Sequence, residues 1–175
     1  MPVPREKLLG MYADDFAPGI GHVLNIEVAN RIILDIKQIL DGAGIPFWLW
    51  FGTFLGVYRE GRLLPWDGDM DLAAYAEDEA RIVEHEAEFS KRGFEMGTGG
   101  NMLLLYREHE HADFYFFRDG ESKRIWRDYS IEASDFETPN TIEFLGKTWR
   151  IVSNPESWLA YLYGADWRTP KYEGV

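Results

Sequence analysis

Hydrophobic residues recur with a helical period in the first part of this chain and with shorter periods after it. Residues 23–40 carry apolar side chains three or four positions apart, at Ile26, Ala29, Ile33, Ile36 and Leu40. This spacing predicts an amphipathic helix, and the glycine-containing stretch 41–44 is typical of a helix end. After Pro46, residues 47–51 are all apolar, which predicts a short buried strand.

The rest of the pattern mixes helices with strands. We predict a short helix at 53–60, then a loop at 61–68, a strand at 69–75 and a helix at 78–92. Beyond Gly93 the period shortens to two, which predicts strands near 102–107, 112–117, 124–129 and 141–152, the last bent at Leu145–Gly146. A proline at a tolerated start position predicts a final helix at 155–163.

This order of elements predicts an α/β (α+β) fold in which helices flank a mixed β-sheet. The chain has 175 residues, 46% of them apolar and 15% aromatic, which suffices for one domain with a sizeable core. We therefore expect a single domain over residues 1–175. Prolines and glycines interrupt residues 1–20, so this part is expected to form an irregular N-terminal arm.

Charge and cysteine content narrow the classes of function. The formal net charge of −12 repels nucleic-acid phosphates, so we expect no nucleic-acid partner. The chain has no cysteine, which excludes disulfides, thiol nucleophiles and cysteine-ligated zinc. No apolar run approaches the ~20 residues of a transmembrane segment, and the N-terminus lacks the apolar region of a signal peptide. A cytoplasmic protein is the expectation.

Two carboxylates, Asp69 and Asp71, begin the strand predicted after the loop. Alternation along a strand directs both side chains to the same face, where they repel each other. Such a pair either shares a cation or lies where water screens it. On the Asp-x-Asp pattern alone, both interpretations stay open.

Other polar residues around this pair could serve a phosphate site. Gly52 and Thr53 follow a strand, and a glycine next to a hydroxyl residue allows close approach and hydrogen bonding to phosphate. Arg59 is either a phosphate contact or a surface residue. Asp113 interrupts an otherwise aromatic strand, where a charge is costly unless paired, so it either joins the other acids or faces solvent. His109 and His111 are expected at the surface.

The segment WFGTFLGVYREG at 50–61 and the segment LPWDGDMDL at 64–72 closely resemble the signature of the LicD family, which fukutin-related proteins share. The helix before this signature and the ending SWLAYLYGADW at 157–167, followed by Pro170, resemble the family's layout. The resemblance covers most of the chain and implies a nucleotidyltransferase-like fold. It also implies an enzyme that transfers a phospho-alcohol group, such as phosphocholine or ribitol phosphate, from a CDP-linked donor to a glycan or other hydroxyl acceptor.

The resemblance further implies residue roles. Mg²⁺ or Mn²⁺ would be held by the catalytic acids Asp69, Asp71 and Asp113. The substrate would be contacted by Gly52, Thr53, Arg59, Trp66 and Asp67. Two alternatives remain: a nucleotidyltransferase that moves NMP from an NTP to a small-molecule or protein hydroxyl, and a non-catalytic nucleotide-binding or scaffold domain. The intact Asp69 and Asp71 pair argues against the latter.

Overall fold

A computed structural model of the protein describes residues 1–11 and 23–171. Its strands are β1 (Val3–Pro4), β2 (Phe47–Leu49), β3 (Met70–Tyr75), β4 (Glu95–Gly99), β5 (Met102–Arg107), β6 (Glu110–Gly120), β7 (Lys123–Trp126), β8 (Tyr129–Glu132), β9 (Asn140–Phe144) and β10 (Lys147–Ile151). Its helices are α1 (Arg5–Met11), α2 (Ile26–Gly42), α3 (Phe51–Glu60), α4 (Glu79–Glu84), α5 (Glu86–Lys91), α6 (Ala133–Glu137) and α7 (Pro155–Tyr163). The mixed α/β fold predicted from the sequence is confirmed.

The strands form one mixed sheet in the order β1-β4-β5-β6-β3-β2-β10-β9, and the β7–β8 hairpin pairs with the far end of β6. At the centre, β3 runs parallel to β6 and antiparallel to β2. Parallel pairing of β3 with β6 needs a crossover, which the helices and strands between residues 76 and 109 provide. The beginning of β3 therefore lies beside the beginning of β6.

Helix α2 packs its apolar stripe against the sheet. Its N-terminus is capped by the side chain of Asn25, which accepts a hydrogen bond from the Val28 amide at 3.3 Å. Ile32, Ile33 and Ile36 on its inner face are fully buried, in the same core as Phe114 of the central strand β6. The predicted helix at 23–40 is thus confirmed, shifted by two to three residues.

One predicted helix and two predicted strands are each interrupted in the structure. The predicted helix at 78–92 is two short helices that meet at His85, after a 3-10 turn at Ala76–Asp78. The predicted strands at 124–129 and 141–152 are hairpins. Leu145 and Gly146 both have positive φ, as the type I′ turn of a two-residue hairpin requires, so the expected bend is a full reversal.

The N-terminal segment is a further correction. Residues 3–11, expected to be irregular, form strand β1 and helix α1. Leu8 is fully buried against Leu104 and Tyr106, so tertiary packing stabilises this segment, whose prolines both precede the helix. The other residues of the predicted arm, 12–20, lie outside the described residues.

Candidate active site

The junction of β2 and α3 fixes the first carboxylate. The backbone amide of Asp71 donates a hydrogen bond to the Thr53 hydroxyl at 2.8 Å, and the Gly52 amide donates to Asp71 Oδ2 at 3.2 Å. Gly52 lies in the first turn of α3, where unpaired amides and the helix dipole favour a negative charge. Gly52 and Thr53 therefore hold Asp71 in place, and their role as phosphate contacts stays a prediction.

Strand register brings Asp113 to the same place. Asp71 and Asp113 are direct partners across the parallel β3–β6 pair, so their side chains emerge next to each other on one face. Asp113 is 4% exposed and Asp71 is 5% exposed. The sequence left open whether Asp113 faces solvent, and the structure places it in the acidic cluster with Asp69 and Asp71.

Asp67 joins this cluster from the loop before β3. Its carboxylate lies directly over the Cα of Gly52, because a Cβ added to Gly52 would lie 1.8 Å from Asp67 Oδ2. Only glycine at position 52 therefore permits this arrangement. One ligand atom from each of Asp67, Asp69 and Asp71 lies within 4.8 Å of the other two.

Burial and mutual repulsion disfavour the ionised form of the carboxylates in this cluster. Burial, together with the charge of Asp69, raises the pKa of Asp67 to about 7. Burial also raises the pKa of Asp71 well above its usual value, with Asp69 and Asp67 adding to the effect. Burial raises the pKa of Asp113 despite a neighbouring arginine. A metal ion would reverse these shifts by neutralising the charge.

Four residues that contact or line this site had no role in the sequence-based prediction. The Tyr115 hydroxyl donates to Asp71 Oδ1 at 2.8 Å, and Arg5 Nη2 lies 2.8 Å from Asp113 Oδ2. His111 was expected at the surface, but it is 7% exposed and its Nε2 lies 3.7 Å from Asp69 Oδ2. Tyr163 lines the cavity beside Asp71.

His111 was expected at the surface because the predicted strand began at residue 112, whereas β6 begins at Glu110. His111 therefore lies on β6, two positions before Asp113 and on the same face. The period-two pattern could have shown that relation. Arg5 and Tyr163 could not be found in this way, because they reach the site only through tertiary packing.

A cavity of about 350 Å³ opens beside the acidic cluster. Its walls include Gly52, Asp67 and Asp71 on one side, and the residues that follow α7 on the other. Arg59, predicted to contact substrate, lines this cavity and donates to the Trp167 carbonyl at 3.1 Å. Trp66 lines it as well and is 38% exposed.

Two other tryptophans, Trp48 and Trp50, precede helix α3 in the chain. Trp48 and Trp50 are at most 2% exposed and pack against Phe136 with ring centroids 4.8 and 5.4 Å away. They belong to the core, as alternating aromatic residues on a strand usually do. Trp66 is therefore the tryptophan of the three with an accessible face.

The donor set suits a divalent cation. Asp67 Oδ2 and Asp113 Oδ1 are buried and have no hydrogen-bond partner among the described residues. Unpaired buried carboxylate oxygens are costly, and a cation or a hydroxyl of a bound substrate would satisfy them. Carboxylate oxygens are the ligands that Mg²⁺ and Mn²⁺ prefer. The assignment of Asp69, Asp71 and Asp113 as ligands and catalytic groups stays a prediction.

Solved structures share this fold. The crystal structure of ANT(2″)-Ia in complex with adenylyl-2″-tobramycin aligns with a TM-score of 0.53 at 19% identity, over 78% of this chain and 75% of that one. The solution structure of ANT(2″)-Ia aligns with a TM-score of 0.56 at 19% identity, over 81% and 74% of the two chains. At such identity the likeness establishes the fold alone.

The family follows from the sequence match. Residues 44–162 match the model of the LicD/FKTN/FKRP nucleotidyltransferase domain, and the chain belongs to this family. The human ribitol 5-phosphate transferase FKRP is 36% identical over 117 residues, which cover 59% of this chain and 23% of that protein. The human ribitol-5-phosphate transferase FKTN is 44% identical over 50 residues, 29% of this chain and 11% of that protein.

These relatives are much longer, since the matches to the human and mouse FKRP proteins span about a quarter of their length. The resemblance to the LicD and fukutin-related proteins, expected from the signature, is confirmed. Among the described residues, no helix is long and apolar enough to span a membrane.

Proposed function

We propose that this domain catalyses the metal-dependent transfer of a phospho-alcohol group, of the phosphocholine or ribitol or glycerol phosphate type, from a CDP-linked donor to a hydroxyl of a glycan or other acceptor. One observation carries the proposal: four carboxylates converge beside a cavity, two of them with buried oxygens that have no partner among the described residues. Membership of a family that includes two ribitol-5-phosphate transferases supports the choice of transferred group.

In this proposal, Asp69 and Asp71 would hold Mg²⁺ or Mn²⁺, with Asp67 or Asp113 completing the ligands. The bound ion would neutralise the donor diphosphate and the charge that develops in transfer. The acceptor oxygen forms a bond to the transferred phosphorus as the bond to CMP breaks. The proton of the acceptor hydroxyl passes to a carboxylate, for which Asp113 is suited because its Oδ1 has no hydrogen-bond partner among the described residues and its pKa is raised by burial.

The donor would occupy the cavity. Arg59 lines its wall and would contact a phosphate oxygen, and Trp66 offers a partly exposed ring to the base. Lys171 also lines the cavity, and its ammonium group forms an ion pair with Asp166 at 2.9 Å. Arg59 is also paired with Glu60 at 2.6 Å, so a bound diphosphate would compete with Glu60 and Asp166 for these two cations.

The first test is calorimetric titration of CDP, in the presence of Mn²⁺, into the wild-type protein and into Asp69→Asn/Asp71→Asn. The matched control is Glu84→Gln/Glu88→Gln, which neutralises two exposed carboxylates away from the site. We expect Mn²⁺-dependent binding that the first double variant loses and the control keeps. Equal binding in all three proteins, or none in any of them, would refute the assignment.

A second function has a specific observation in its favour. Two solved structures with this fold are of ANT(2″)-Ia, one of them in complex with adenylyl-2″-tobramycin, and an adenylyl group on an acceptor is consistent with NMP transfer from an NTP. The two reactions release different products. CMP release from CDP-ribitol, CDP-glycerol or CDP-choline supports phospho-alcohol transfer, whereas pyrophosphate release from an NTP supports nucleotidyl transfer. Metal and nucleotide binding without either product would indicate a non-catalytic binding domain.

A further inference from the structure

Arg5 lies at the acidic cluster although it is distant in sequence from every acid there. Its Nη2 lies 2.8 Å from Asp113 Oδ2, and the two side chains are 22% and 5% exposed. A guanidinium that pairs with a buried carboxylate is far less screened than a surface ion pair. Arg5 therefore places a permanent positive charge next to the third acid.

Three contacts hold Arg5 in this position. Strand β1 pairs in parallel with β4, and the helix that follows it places Leu8 against Leu104 and Tyr106 of β5. Gly97 on β4 makes the approach possible, since a Cβ there would lie 3.1 Å from the Cα of Arg5. The packing of this helix on the sheet therefore holds Arg5 next to Asp113.

The acidic residues form two possible groups of metal ligands that share Asp69. One group is Asp67, Asp69 and Asp71, and the other is Asp69, His111 and Asp113. In each group, the ligand atoms lie within 4.8 Å of one another. Only the second group contains a carboxylate that is already paired with a cation. A divalent ion there would lie close to the guanidinium, and the two positive charges would repel at short range.

We propose that Arg5 takes the place of a second metal ion, so that the site binds one divalent cation at Asp67, Asp69 and Asp71 while the guanidinium supplies the second positive charge. This inference rests on the metal dependence of the proposed function. Arg5 leaves Asp113 Oδ1 without a hydrogen-bond partner among the described residues, so this oxygen remains available for the acceptor proton. Arginine suits the role because its charge is permanent and its donors match carboxylate and phosphate oxygens.

The test is a count of bound Mn²⁺ by titration calorimetry and electron paramagnetic resonance, with no substrate present. The wild-type protein should bind one ion, and Arg5→Gln should bind two. In Arg5→Gln/Asp113→Asn the second ion should be lost again. The matched control is Arg31→Gln, which removes an exposed arginine that pairs with Glu108; it should bind one ion.

A second variant covers the case in which Arg5→Gln does not fold. Asp113→Asn alone should still bind one Mn²⁺ ion, with a dissociation constant within about threefold of the wild-type value. Loss of a true ligand would instead weaken Mn²⁺ binding by about tenfold or more. Two ions in the wild type, or one in a folded Arg5→Gln, would overturn the inference while the proposed function stands. No Mn²⁺ binding to the wild type would instead overturn the metal dependence itself.

Discussion

Replacement of Gly52 by alanine is the sharpest perturbation that the structure offers. A Cβ at this position would lie 1.8 Å from Asp67 Oδ2 and 2.7 Å from its Cγ, far inside the 3.0 Å that real contacts of this kind respect. The carboxylate of Asp67 must therefore retreat by more than about 1 Å. Displacement of a catalytic or metal-binding group by roughly 1 Å typically costs 10- to 100-fold in affinity or rate.

The same substitution should leave the fold intact. Gly52 lies in helix α3, where alanine is favoured over glycine by about 0.5–1 kcal/mol, and the clash is with the end of a loop side chain. We expect the free energy of unfolding to change by less than about 1 kcal/mol, while the Mn²⁺ dissociation constant rises about 10- to 100-fold. Urea unfolding and calorimetric titration measure the two effects separately.

Gly68→Ala is the matched control, because it adds the same methyl group beside Asp67 and Asp69 in open space. It should bind Mn²⁺ as the wild type does. Gly52→Ala made in an Asp67→Ala background should cause little further loss, since the clashing carboxylate is gone. If Gly52→Ala binds Mn²⁺ normally, or weakens binding equally in the Asp67→Ala background, the reasoning is refuted.

Three further predictions concern pH, a hydrogen bond and the cavity. The raised pKa of Asp67, about 7 against about 4 in an unfolded chain, means that the folded metal-free protein binds more protons between these values. The free energy of unfolding should therefore fall as pH rises from 4 to 7, by up to about 4 kcal/mol from this group. Added Mn²⁺ or the substitution Asp67→Asn should reduce this fall. A free energy of unfolding that does not change with pH, measured in urea with EDTA present, would contradict the prediction. Tyr115→Phe removes the donor to Asp71 and should lower the free energy of unfolding, measured in urea, by about 1–3 kcal/mol; an unchanged free energy of unfolding would show that this bond does not stabilise the fold. Arg59→Ala should weaken Mn²⁺-dependent CDP binding roughly tenfold, measured by calorimetry with Arg31→Ala as control, and unchanged affinity would place the diphosphate elsewhere.

The elements that local pattern specifies strongly were predicted closely. Helix α2 has apolar residues at a helical period, and helix α7 begins with a proline. Strands β2, β3 and β5 have apolar or alternating runs. The confirmed elements lie within two or three residues of their predicted bounds. Strand β4 and helix α6 were not predicted, because Glu95–Gly99 holds two glycines and Ala133–Glu137 is too short to establish a period.

Most residues of the candidate site were also predicted from the sequence. Gly52, Thr53 and the pair Asp69 and Asp71 were singled out by residue type, spacing and family signature, and the structure places them together. The role of Gly52 is more specific than expected. It makes room for Asp67, which no spacing rule indicates, because the contact joins a helix to a loop 15 residues later.

By itself, then, the sequence determined the fold class, the family and the proximity of Asp69 to Asp71, since these follow from periodicity, a contiguous signature and a spacing of two residues; Asp69 itself lies just before β3 rather than in it. Tertiary structure alone decided that Asp113 stands opposite Asp71, because the register of a parallel pair is set by the crossover and the packing of the whole sheet. It also decided that Arg5, more than 100 residues from Asp113, reaches the same cluster. Such long-range contacts depend on how the apolar faces of α1, β4 and β5 fit together, and no local pattern in the chain encodes that fit.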